Sequence, residues 1–417
     1  MKSWSRPGVP SLPGSGSVPF LWDTASAQLV EVSSRVEGAA CGLYVCGITP
    51  YDATHIGHAA TYVAYDGLIR LWLDAGFDVR YVQNSTDVDD PLLERALATG
   101  TDWRELAARQ TELFRADMEA LSVIPPDDYV AVTETIDLAA AGVALLVERG
   151  VAYRVGEDIY FDSAAAAASG PWRLGDESRY DRATMLALSA ERGGDPDRPG
   201  KRDPLDPVLW RGERAGEPSW RTVVGEGRPG WHIECAVIAQ HFLDLPMTVH
   251  AGGSDLIFPH HEFSAGHTAA LTGGLLATTY SHAGLVSSRG EKMSKSVGNL
   301  VFVSALTSAG VDPRAIRLAI LAQRYQDDWE WTDALLTSAG ERLSRWRAWA
   351  DRADREPARD LVSAPVTPLL AELRIVLAQN LNSPGAIAAI DRRVADGTNP
   401  ASVDLAAIDA LLGIRLG

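Results

Sequence analysis

The sequence predicts an α/β fold: a doubly wound, Rossmann-like parallel sheet, split by an insertion and followed by a helical C-terminal region. Three observations carry this. Residues 42–48, 57–75 and 78–83 read as strand, helix and strand within about 40 residues, the βαβ unit of a parallel sheet. Residues 163–229 are dense in Gly, Pro and Arg, which marks a loop-rich insertion, and apolar periodicity resumes after them. From Pro313 onward nearly every stretch has helical spacing.

Taken in order, residues 1–17 hold Pro, Gly and Ser without an apolar run, so 1–36 read as an N-terminal extension, not an export signal. GLYVCGI at 42–48 is continuously apolar, as a buried strand requires, and Thr49-Pro50 turns the chain into the helix 57–75. DVRYVQ at 78–83 alternates as a second strand. Helical patterns cover 102–121 and 133–149, and 153–161 reads as a hairpin turning near Gly156. The second half offers a helix at 231–241, a strand at 247–250, a helix from His260 and one strand at 282–287. Amphipathic helices follow at 334–350, 368–377 and 405–412. The expected organisation is therefore two core halves, 37–125 and 228–300, around a connective region at 126–227, then a helical linker and bundle at 301–417. No internal repeat stands out.

Bulk properties exclude several classes. The 417 residues are 46% hydrophobic and 22% charged, enough for a large core. No run nears 18 apolar residues, so no membrane span is expected and a cytoplasmic location is. Thirty-eight basic against 55 acidic residues leave a net charge of −17, which argues weakly against a nucleic-acid partner. Cys41, Cys46 and Cys235 are too few for a disulfide scaffold and read as reduced thiols or metal ligands.

Two segments point to phosphate chemistry. His55-Ile56-Gly57-His58 opens the first helix, where unpaired N–H groups and the positive dipole end meet anions. Gly57 admits a flat base, and the flanking imidazoles can donate to phosphate oxygens. Lys292-Met293-Ser294-Lys295-Ser296, after Arg289-Gly290-Glu291, places two lysines in a glycine-flanked loop suited to a phosphoryl transition state. Taken singly, each also occurs as an ordinary surface run; together, in this order, they resemble the HIGH and KMSKS signatures of class I aminoacyl-tRNA synthetases. The resemblance implies a synthetase-like catalytic domain that uses ATP, with Mg²⁺, and His55, His58, Lys292 and Lys295 as catalytic groups.

Cys46, Cys235 and His260 form a donor set soft enough for Zn²⁺, with a position left open. Their spacing does not join them; two buried thiols and a surface histidine read the same way. YVCG at 44–47, GWHIEC at 230–235 and HAGGSDLIFPHHE at 250–262 resemble cysteinyl-tRNA synthetase. That resemblance implies one zinc ion on Cys46, Cys235 and His260, gripping a substrate thiolate. It further implies adenylate contacts from Cys46, Gly47, Ile48, Thr49, Thr61, Asn84, Ser85, Thr86, Trp231, His232, Gly253, Ser254, Asp255 and Val286, with His250 and His282 in the same cluster. Asp255 reads equally as a ribose acceptor or a helix cap, and Cys41 as a core residue. Ser264 stands where the synthetase has its fourth ligand, a glutamate, so water or substrate sulfur is expected to complete the tetrahedron.

The acceptor is a separate matter. About 90 residues follow Trp331, without a basic tail, so no anticodon-reading surface and no tRNA partner are expected. Ala60 replaces the arginine of HIGHxRT. Ser3-Trp4, CGITPYDATHIGHAATY, QNSTDVDDPL, ERGGDP, GWHIECAVIA and HAGGSDLIFPHHEFSAGH resemble, almost end to end, the ligases of mycothiol biosynthesis that join L-cysteine to glucosaminyl-inositol. Ser264 agrees with that family too. The resemblance implies an amide-forming, AMP-forming ligase acting through a cysteinyl-adenylate on L-cysteine, ATP and the aminosugar, as a monomer. The alternatives are a truncated cysteinyl-tRNA synthetase and an inactive paralogue that binds or regulates. Glu191 and Asp195 read as aminosugar contacts or as loop caps.

Overall fold

The N-terminal extension folds into a hairpin of β1 (Phe20–Asp23) and β2 (Gln28–Glu31). Its first residues are anchored by Trp4, which packs edge-on against Phe114 and Tyr129 and donates its indole N–H to the Val123 carbonyl at 2.8 Å. The computed structural model describes residues 1–36, 38–293, 298–353 and 361–417.

The first core half runs β3 (Cys41–Val45), α1 (Ile56–Asp74), β4 (Val79–Ser85), α2 (Asp90–Thr99), α3 (Trp103–Ala120), β5 (Asp128–Ala131) and α4 (Ile136–Glu148). Sequence reasoning missed α2 because only Leu92 and Ala96 of its ten residues are buried, too few for a clear stripe. Asp89 caps its start and Gly100, in the left-handed region, ends it.

The insertion holds β6 (Ala152–Val155), β7 (Asp158–Phe161), α5 (Ser163–Ser169), α6 (Arg182–Glu191), β8 (Val208–Gly212), β9 (Trp220–Thr222) and β10 (Gly225–Pro229). Its strands make an antiparallel sheet in the order β6-β7-β8-β10-β9. Most of 163–229 is irregular, as a loop-rich reading expects, but its three short strands were not foreseen. The strands there are short and rich in Gly and Arg, so propensity and alternation both fail, and pairing with the β6–β7 hairpin decides.

The second half adds α7 (Trp231–Phe242), β11 (Val249–Gly253), α8 (Glu262–Thr272) and β12 (Tyr280–Ala283). The parallel sheet has the order β12-β11-β3-β4-β5. It draws on residues up to Ala131, beyond the expected end of the first half at 125. Strand order reverses between β3 and β11, and in open α/β sheets ligands bind beyond the strand ends at that reversal.

β13 (Val286–Ser288) and β14 (Glu291–Lys292) follow, with α9 (Val303–Ser308), α10 (Pro313–Leu321), β15 (Trp329–Trp331), α11 (Asp333–Ala350), α12 (Pro368–Ala378), α13 (Ser383–Ala395) and α14 (Ser402–Leu412). The single strand expected at 282–287 is two. At Gly284 a Cβ would lie 2.1 Å from the Asp327 carbonyl oxygen, and the chain leaves the parallel sheet there for a three-stranded one, β14-β13-β15.

A buried charge cluster fastens the C-terminal helices to α1. Arg70 donates to Asp66 Oδ2 at 2.7 Å, Arg317 donates to the same oxygen, and the Ile124 N–H reaches Oδ1 at 2.8 Å. Both guanidiniums also bond the last carbonyls of α14: Arg70 those of Asp409 and Ala410, Arg317 that of Leu412. They satisfy helix-end acceptors and lie at the negative end of its dipole. Among the described residues no helix is long and apolar enough to cross a membrane.

Candidate active site and metal centre

The ends of β3 and β11 open into a cleft of 1220 Å³ between the parallel sheet and the insertion. Cys46 directly follows β3, its N–H bonded to the Ala251 carbonyl of β11 at 2.9 Å. Gly47 comes next, and only glycine fits: a Cβ would lie 1.6 Å from the Asn84 carbonyl oxygen. The Asn84 side chain accepts from the Gly47 N–H at 2.8 Å, and the Thr86 N–H donates to the Ile48 carbonyl at 2.9 Å. Asn84, Ser85 and Thr86 are buried behind the cleft wall and shape the 47–49 turn from beneath. Gly47, Ile48, Thr49, Thr61, Trp231, His232, Gly253, Asp255 and Val286 line the cleft itself, and Ser254 lies in the turn between Gly253 and Asp255.

His55 takes the N-cap of α1 and accepts from the Gly57 N–H at 3.1 Å. His58, one turn on, stacks upon it with ring centroids 3.8 Å apart, and both line the cleft. Burial pushes the His58 imidazole down to about 4, so it is neutral near pH 7. On the other side, β13 and β14 form a hairpin whose turn residues, Arg289 and Gly290, both have positive φ (58° and 77°), as its two-residue connection demands. Val286 and Met293, at its two ends, line the cleft. Lys292 ends β14, and Lys295 lies outside the described residues.

At the cleft wall, where Cys46 lines it, Cys46 converges with the more deeply set Cys235 and His260, their ligand atoms within 4.8 Å of one another. All three are buried. The two sulfurs are 4.0 Å apart. Two thiolates at tetrahedral angles around one Zn²⁺, each about 2.3 Å from it, stand about 3.8 Å apart, so the pair fits a shared ion without rearrangement. Burial and the neighbouring Cys235 hold the Cys46 thiol well above its usual value. Burial opposes ionisation of Cys235 as well, but the hydrogen bond with Cys46 and the charge of His260 outweigh it and draw Cys235 well below. Trp231 lies beside His260, ring centroids 4.4 Å apart, and lines the cleft together with Cys46.

Ser264 is fully buried and spends its hydroxyl on the carbonyls of His260 (2.8 Å) and His232 (3.2 Å). It braces the turn that carries His260. Sequence reasoning missed His261. Its Nε2 lies 3.3 Å from the Cys46 sulfur, and with His250 and Cys46 it forms a second compact donor set. His282 bonds its Nδ1 at 2.8 Å and Thr24 at 2.7 Å. Burial drives His250, His261 and His282 toward the neutral form. The signal was the doublet in PHHE, where one histidine drew attention from the other. Cys41 is buried in the core, as expected of it.

Comparison with known proteins decides the family. Residues 32–341 match the family described as tRNA synthetases class I (C) catalytic domain. A protein of Clavibacter michiganensis subsp. michiganensis, named L-cysteine:1D-myo-inositol 2-amino-2-deoxy-alpha-D-glucopyranoside ligase, is 61% identical over 100% of this chain and 99% of its own. One of the same name from Clavibacter sepedonicus is 62% identical over 95% and 99%. This chain belongs to that ligase family. Among solved structures it is similar to Mycobacterium tuberculosis methionyl-tRNA synthetase in complex with methionyl-adenylate, with a TM-score of 0.60 and 18% identity over 89% of this chain and 88% of that one. At that identity the likeness speaks for the class I fold alone. This chain thus keeps the class I synthetase fold, and the His55–His58 turn and Met293 line one cleft.

Proposed function

We propose that this chain joins L-cysteine to the amine of glucosaminyl-inositol through a cysteinyl-adenylate, releasing AMP and pyrophosphate, in mycothiol biosynthesis. The observation that carries it is the convergence of Cys46, Cys235 and His260 at the wall of a cleft whose rim holds the His55–His58 turn. A thiol-selecting donor set and a phosphate-handling helix start share one pocket at the sheet's reversal point. The full-length relatives carry the ligase name, which leaves the truncated-synthetase alternative unsupported.

Cys46, Cys235 and His260 would hold one zinc ion, which when bound supplies a soft Lewis acid for the substrate's thiolate and disfavours the harder hydroxyl of serine. Trp231 walls the amino-acid end. Gly47–Thr49 and the Gly253–Asp255 turn would hold ATP, with Mg²⁺. The cysteine carboxylate oxygen bonds to the α-phosphorus and the bond to pyrophosphate breaks. His55 and neutral His58 donate to the phosphate oxygens, and Lys292 and Lys295 offset the developing charge. In the second step the uncharged amine bonds to the acyl carbon, the bond to AMP breaks, and the amine's proton leaves to a base or water. All substrates are small molecules, consistent with a monomeric cytoplasmic enzyme that needs no tRNA.

The test is cysteine-dependent pyrophosphate exchange by the purified chain, then mass spectrometry after adding the aminosugar or tRNA. An amide on the aminosugar, with zinc near one per chain by elemental analysis, is the expected result. Charged tRNA without that amide, or serine activated as readily as cysteine, overturns it.

A further inference from the structure

The ERGGDP segment lies in the insertion between α6 and β8, and every residue from 191 to 195 lines the cleft. Helix α6 ends at Glu191, and Gly193 takes the left-handed conformation, φ 81°. At Gly194 a Cβ would lie 2.2 Å from Ser189 Oγ and 2.7 Å from the Ser189 carbonyl, so the turn closes only with glycine. The segment is braced on both sides. Arg192 donates to the carbonyls of Asp255 and Phe258, across the cleft on the core turn that leads to His260. Asp195 accepts from Tyr160 OH at 2.5 Å and from Lys201 at 2.9 Å, both on the insertion.

The charge on this wall is already sorted. Each of its cations is engaged: Arg198 and Arg214 on Asp158, Lys201 on Asp195, Arg211 and Arg228 on Asp90, and Arg192 on main-chain carbonyls. A phosphate backbone gains affinity from cations that trade counterions for phosphates, and engaged cations offer little of that. The carboxylate of Glu191 is exposed, lines the same cleft and makes no hydrogen bond or ion pair among the described residues. A carboxylate carried at the end of α6, beside a doubly anchored turn, suits a small amine with many hydroxyls, because the backbone that presents it is set before the ligand arrives.

We propose that residues 191–195 form the acceptor-recognition wall of the cleft, with Glu191 as the contact for the amine-bearing acceptor and Arg192 and Asp195 as positioning residues. This rests on the ligase reading above. A tRNA acceptor would draw on cations free to meet its phosphates, and the cations of this wall are engaged.

The experiment measures both half-reactions of the full chain: cysteine-dependent pyrophosphate exchange, and amide formation against acceptor concentration. Glu191→Gln, nearly isosteric and exposed, should raise the acceptor KM at least tenfold more than it changes the exchange rate. Arg192→Ala should lower acceptor kcat/KM by more than it lowers exchange, and Arg192→Lys should restore part of the loss. Equal losses in both half-reactions, or an unchanged acceptor KM in Glu191→Gln, overturn the proposal while the ligase reading stands. A wild-type chain that exchanges pyrophosphate yet makes no amide overturns both.

Discussion

Asp66 lies at the centre of the joint between core and C-terminal helices, and Asp66→Asn tests that joint with almost no change in shape. The carboxylate is fully buried, as are Arg70 and Arg317, which share its Oδ2. Burial alone would raise its pKa, but the two guanidiniums outweigh that and hold it below the usual carboxylate range. Asparagine keeps the bond from the Ile124 N–H and loses the charge. Two charge-assisted bonds at about 1.5–3 kcal/mol each give roughly 3–6 kcal/mol, and breaking a buried ion pair by one partner costs about 3–5 kcal/mol. A loss near 4 kcal/mol is therefore expected, because two buried cations remain with only carbonyls to face. The assay is equilibrium urea unfolding followed by tryptophan fluorescence, to which Trp346 and Trp349, both buried in the helical region, contribute. The pH dependence has a definite sign. Since the folded pKa is depressed, Asp66 contributes its stability above the unfolded value near 3.8 and loses it as pH falls through the folded one. A loss below about 1 kcal/mol at neutral pH would refute the claim that this charge holds the joint.

Ser264→Ala should leave the metal content of the purified chain at the wild-type level, because its hydroxyl is spent on two carbonyls, whereas Cys235→Ala should lose metal and cysteine activation together. Elemental analysis of both variants decides between a brace and a ligand. The His58 ring should titrate by NMR near 4 and stay neutral between about pH 6 and 8, with its share of stability falling as pH drops from the unfolded value near 6.5. A midpoint near 6.5 would show a hydrated ring, not a buried one.

Much of the parallel sheet could be read ahead of the structure because each βαβ unit is local. β3, α1 and β4 fall within two or three residues of 42–48, 57–75 and 78–83, where apolar period and turn residues agree. The strands of the insertion were missed for the opposite reason. β8, β9 and β10 carry Gly, Arg and Pro, and only their neighbours across the sheet make them strands. Gly284 shows the same limit at one residue, since nothing near it in sequence announces Asp327 against its α-carbon. Of the site, the HIGH turn was legible because capping is local: His55 and Gly57 bond each other.

Sequence by itself determined the chemistry available to this protein: three thiols, nine histidines, a glycine-flanked lysine pair and an ordered set of strands and helices. These follow from residue type and short-range spacing, which a chain carries whether folded or not. Only the tertiary structure decided what those groups face. Cys46 and Cys235 are 189 residues apart and come within 4.0 Å because β3 and α7 belong to the two halves of the core. Ser264 became a brace, His261 joined the thiol cluster, and ERGGDP became a bridge, because close packing of distant segments assigns each side chain a partner that its sequence neighbours do not name.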